Sequence, residues 1–103
     1  MRMIKQISGD IRCNISEARD KIGMAYKLRE KDKAAADWYK DMAAQHIAFN
    51  TAGHACVKRL IDDAKSKHAD DKLMPGMVVV YEDMHADIVR DSAEVQAMIA
   101  AYK

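Results

Sequence analysis

With 103 residues, 50% of them apolar and 32% charged, the chain has the make-up of one folded domain rather than a disordered tail. A single proline and four glycines are too few turn formers for an all-β sandwich, and the longest apolar run, Met77 to Tyr81, falls far short of the ~20 residues that span a bilayer. Seventeen basic against sixteen acidic residues, a net charge of +1, argue against a dedicated nucleic-acid binder.

The first predicted helix covers about residues 3–30. Its apolar residues Ile4, Ile7, Ile11, Ile15, Ala18, Ile22, Ala25 and Leu28 recur at steps of three and four. Gly9 and Gly23 weaken it, each by roughly 1 kcal/mol relative to alanine. The mixed-sign run Arg29–Lys33 closes it, with Asp32 placed to cap the next helix.

The second helix is expected over 33–67 and carries two apolar stripes. The main one is Trp38, Met42, His46, Phe49, Gly53, Cys56 and Leu60; beside it run Ile47, Asn50, His54, Val57 and Ile61. Residues 66–72 are polar and read as a connection. Pro75 suits the first turn of a third helix over 75–102, where its missing N–H is harmless. That helix shows one regular stripe: Val78, Tyr81, His85, Ile88, Ser92, Val95, Ile99 and Tyr102. The short strand-like run at 77–81 lies inside the stripe and is read as helix.

Short connections between long helices predict an all-α, up-down-up antiparallel bundle forming a single domain over 1–103. A third of the apolar residues are alanine, which packs closely but buries little area. Wide faces on thin helices predict self-association into a homo-oligomer, a dimer or higher. The N-terminus, with Arg2, Lys5 and Asp10, lacks the apolar core of a signal peptide. Cys13 and Cys56 have no metal-ligand spacing and read as small buried thiols of a cytoplasmic protein with no membrane contact. They are out of register by roughly 9 Å along the helix axes, so no bridge is expected between them.

Residues 25–32, Trp38-Tyr39, Met42-Ala43, His54, Val57 and Leu60-Ile61, together with 81–85, Ile88, 93–95 and Tyr102-Lys103, resemble small ferritin-like helical proteins of Firmicutes genomes and phage-like regions. The resemblance implies a fold more than an activity. In that family metals are bridged between helices by carboxylates and Glu-x-x-His pairs. Glu82 and His85 match that spacing; His46, Phe49 and Asn14 stand where further ligands would be wanted, so the di-iron set is degenerate.

Facing residues should have numbers totalling about 64 across the first turn and about 142 across the second, because both helices share a ~1.5 Å rise. Asp10, His54 and His85 then fall in one layer with Glu82 a turn beyond. That layer is either a hydrogen-bonded part of the core or a site for a divalent metal. His46 falls level with Glu17 and is expected to pair with it in the core. Lys58, Arg59, Lys65, Lys67 and His68 make the end of the second helix basic, which complements the helix dipole. No catalytic set is complete. The expectation is therefore a non-catalytic helical interaction protein without a cofactor, acting through self-association or a protein partner. The alternatives are a metal-binding protein using Glu82, His85, His54 and Asp10, or a phage-type binder of an anionic ligand at the basic end.

Overall fold

The computed structural model describes residues 2–67, 72 and 74–103. It contains three helices, α1 (Arg2–Leu28), α2 (Lys33–Lys67) and α3 (Met74–Ala101), with no strand among the described residues. No described helix is long and apolar enough to cross a membrane.

Local chemistry sets the helix ends. α1 stops at Leu28, whose carbonyl accepts from the Lys31 and Asp32 amides at 2.9 and 2.8 Å. Asp32 then caps α2: its Oδ1 accepts from the Ala35 amide at 3.1 Å, supplying one of the partners that the first turn of a helix lacks. Pro75 lies in the first turn of α3, as expected. Tyr102 falls just beyond that helix, its amide reaching the Ile99 carbonyl at 3.2 Å.

The helices lie side by side in a bundle about 60 Å long and 16 Å across. Residue numbers rise on α1 as they fall on α2: Asn14 meets Asn50, and Ile11 meets Gly53. The same holds for α2 and α3, where Asn50 meets Ser92 and Lys65 meets Glu82. Between α1 and α3 the numbers rise together, from Arg19 with Glu94 to Tyr26 with Tyr102. Asn14 with Asn50, Ile11 with Gly53 and Asn50 with Ser92 match the expected level totals, whereas Lys65 with Glu82 is five residues off.

The α1 stripe is buried from Ile4 to Ala25, with Ile7 and Leu28 half-buried. The α3 stripe is likewise buried or half-buried throughout. On α2 the ranking of the stripes is corrected. The buried one is Ala36, Ala43, Ile47, Asn50, Val57, Ile61 and Ala64. The expected main stripe is split instead: Trp38 and Phe49 are 59% and 71% exposed, Met42, His46, Cys56 and Leu60 are half-buried, and Gly53 faces Ile11 of α1. Ala36 and Ala43 are fully buried, and alanine lets neighbouring helices approach; the bulkier Trp38 and Phe49 would hold them apart. Gly53 marks the tightest approach: a Cβ there would lie 3.0 Å from both Cγ1 and Cδ1 of Ile11. Cys13 is exposed and Cys56 half-buried, so the expectation of two buried thiols also fails; both are free.

Candidate functional site: a polar seam through the core

An apolar stripe interrupted by Asn50 on α2 and Ser92 on α3 brings polar groups into the middle of the bundle, where each needs a partner. Asn50 is 1% exposed and touches both neighbouring helices. Its Oδ1 accepts from Asn14 Nδ2 at 3.2 Å, and its Nδ2 donates to the Ile11 carbonyl at 3.4 Å and to Ser92 Oγ at 3.5 Å. Ser92 Oγ is also 3.0 Å from His54 Nε2, and His46 Nδ1 is 3.4 Å from Asn14 Oδ1.

These contacts form one chain with a consistent direction of donation. A proton on His46 Nδ1 serves Asn14 Oδ1, Asn14 serves Asn50, Asn50 serves Ser92, and the Ser92 hydroxyl is left to donate to His54 Nε2. That order requires neutral His54 with its proton on Nδ1. The His54 ring lies 5.5 Å from the His85 ring, centroid to centroid. Burial holds the His54 pKa below its usual 6.5, and the neighbouring His85 lowers it further. His85 is lowered too, by burial first and then by the charge of Lys58. His54 Nδ1 and His85 Nε2 are buried without a hydrogen-bond partner. A second proton on either ring would place charge in a poorly solvated spot.

Of the four expected metal ligands, the structure brings together only His54 and His85. Asp10 is exposed on α1, and Glu82 Oε2 faces Lys65 Nζ at 3.3 Å. Ser92 takes the place in the layer expected for Asp10. Among the described residues, no three His, Cys, Asp or Glu side chains are placed to hold one metal ion. His46 pairs with Asn14 rather than with Glu17, which reaches Lys21 on its own helix at 3.6 Å. Equal height along the bundle left the direction of these side chains open. Asn14, Asn50 and Ser92 had a readable signal all the same: each is a polar residue at a core level, and their numbers match the two level totals.

An open groove of about 320 Å³ beside His85 is lined by Lys58, Asp62, Lys65 and Glu82. Its charges are already matched in pairs, Lys58 with Asp62 at 3.2 Å and Lys65 with Glu82 at 3.3 Å. Arg59 likewise reaches Asp63 at 3.9 Å, so the basic end of α2 carries its own counter-charges; His68 lies outside the described residues. The seam's polar groups face one another instead of converging on a cavity. What this arrangement does chemically is fix register: an alanine-rich stripe can slide by a turn at little cost, but sliding Asn50 away from Asn14 and Ser92 strands buried polar groups. No protein-family model matches the chain, and neither any curated protein nor any solved structure matches it.

Proposed function

We propose that this chain is a small non-catalytic helical interaction protein, built as an up-down-up antiparallel bundle and acting by self-association or by binding a protein partner. The observation that carries the reading is the amount of large apolar surface left outside: Trp38 and Phe49 on α2, and Val79, Val80 and Val89 on α3, are each between 43% and 71% exposed. Single exposed apolar residues are ordinary, but Trp38 and Phe49, 11 residues apart, share one face of α2, a feature of interaction surfaces. The seam supports the non-catalytic half of the reading. His46, Asn14, Asn50, Ser92 and His54 are hydrogen-bonded to one another, and the rings of the two perturbed histidines lie 5.5 Å apart.

The test is association measured on the whole chain by sedimentation velocity and by crosslinking in cells. Glutamate substitutions on both outer faces, Trp38→Glu with Val89→Glu, should abolish association and leave helicity intact, because both sites are exposed. A chain that is monomeric at high micromolar concentration, with cellular crosslinks indifferent to these substitutions, would refute the reading.

A further inference from the structure

We propose that a second copy of this chain covers the outer face of α2, in an antiparallel pair whose twofold axis passes at Phe49. The proposal rests on the interaction reading above and names its partner and surface.

The outer face consists of Trp38, Met42, Gln45, Phe49, Ala52, Cys56 and Leu60, at steps of four and three that alternate as far as Cys56. That alternation is the seam of two helices packed at a shallow angle. The stripe is also nearly symmetric about its centre. With Phe49 on the axis, Trp38 comes level with the partner's Leu60, and Met42 with the partner's Cys56. Large side chains then meet smaller ones away from the axis, and the two most exposed aromatics lie at an end and at the centre. A face that reads alike in both directions suits a copy of itself, because a twofold interface presents one patch to itself.

Charge supports the same axis. Asp41 and Arg59 lie about five turns apart and so share one flank of the stripe. About the Phe49 axis, Asp41 comes within about one helical turn of the partner's Arg59, and the symmetry supplies the pair twice. Both residues are exposed, and each has an intrachain ion pair at long range, Asp41 with Lys40 at 4.0 Å and Arg59 with Asp63 at 3.9 Å, with which the partner's charge would compete. The area is of the right order. An aromatic side chain buries roughly 150–250 Å², so the exposed parts of Trp38 and Phe49 amount to about 300 Å² per copy. Two copies remove about 600 Å² through these residues alone, half of the ~1,200 Å² at which specific interfaces begin.

The experiment uses the whole chain in sedimentation velocity and disulfide trapping. Phe49→Glu places two carboxylates on the axis and should weaken the dimer at least a hundredfold with helicity unchanged. Asp41→Arg and Arg59→Asp should each weaken it, and the double exchange should restore most of the loss. Phe49→Cys, with Cys13 and Cys56 changed to serine, should form a disulfide between copies on oxidation. Cys56 of the unaltered chain should not link to its counterpart, which lies about 20 Å away along the axis in this arrangement. A monomeric chain, a dimer indifferent to Phe49→Glu, or a Cys56–Cys56 link overturns the proposal. A dimer that survives Phe49→Glu but is lost with Val89→Glu overturns it as well, while leaving the broader interaction reading standing on α3.

Discussion

Gly53 and Gly23 both sit inside helices, and alanine should stabilise the chain less at Gly53 than at Gly23. Alanine is favoured over glycine by about 1 kcal/mol in a helix interior. At Gly23 nothing lies within 4 Å of the added Cβ, so Gly23→Ala should gain that amount. For a domain of this size the gain raises the melting temperature by about 4–8 °C. At Gly53 the same Cβ would lie 3.0 Å from two carbons of Ile11, which is 2% exposed and hemmed in by the core. Overpacking of this kind costs about 1–3 kcal/mol and offsets or exceeds the propensity gain. The helical term cancels between the two variants, so their difference isolates the crowding: Gly53→Ala should be less stable than Gly23→Ala by about 1–3 kcal/mol. Thermal and urea unfolding followed by circular dichroism would measure it. If Gly53→Ala proves as stable as Gly23→Ala, then α1 and α2 do not approach closely there, and the account of the contact is wrong.

Asn50→Ala should cost about 2–3 kcal/mol, from a small cavity and the lost hydrogen bonds to Asn14, the Ile11 carbonyl and Ser92; a variant as stable as the unaltered chain in urea unfolding would contradict the register role. His54 and His85 both have folded-state pKa values lowered below 6.5, so their neutral forms favour the fold. Their contribution is present above about pH 6.5 and is lost as pH falls through the lowered folded values. The melting temperature should therefore be flat from pH 8 to 7 and decline below about 6.5, and a His54→Asn, His85→Gln variant should lose that decline; an unchanged slope in the variant would assign it to other groups. Tyr26→Phe removes the hydroxyl that donates to the Met98 carbonyl at 3.1 Å and should cost about 1 kcal/mol, read as a melting shift of about 4–8 °C. Equimolar zinc should leave the melting temperature unchanged, since only two imidazoles come together; a rise abolished by His85→Ala would restore the metal reading.

Much of the fold was legible because helical rise is a constant. The three stripes, the Asp32 cap and the level totals follow from residue spacing, and Asn14, Asn50 and Ser92 obey them. Direction around the axis was the harder quantity. Periodicity finds a stripe but does not say what covers it: of the two stripes expected on α2, the one with Ile47, Asn50, Val57 and Ile61 is buried, while Trp38 and Phe49 of the other are exposed. The close approach of α1 and α2 favours small side chains, and size ran against hydrophobicity as a guide. The same gap misplaced His46: Glu17 shares its height, but Asn14 is the residue turned toward it.

The contact at Gly53 also bears on how the chain folds. α1 and α2 are neighbours in sequence, separated by residues 29–32 only, and they make the most extensive contact of the three helix pairs. Closing so short a connection carries little entropic penalty, so this hairpin is suited to form the folding nucleus. α3 then docks against a surface already made, guided by Ser92 and held at its far end by Tyr26 against Tyr102. Substitutions at Ile11 or Ala43 should act mainly on the folding rate, and those at Ser92 or Val95 mainly on the unfolding rate. The Ser92 end of the seam would thus act late, as the latch that keeps the last helix from leaving.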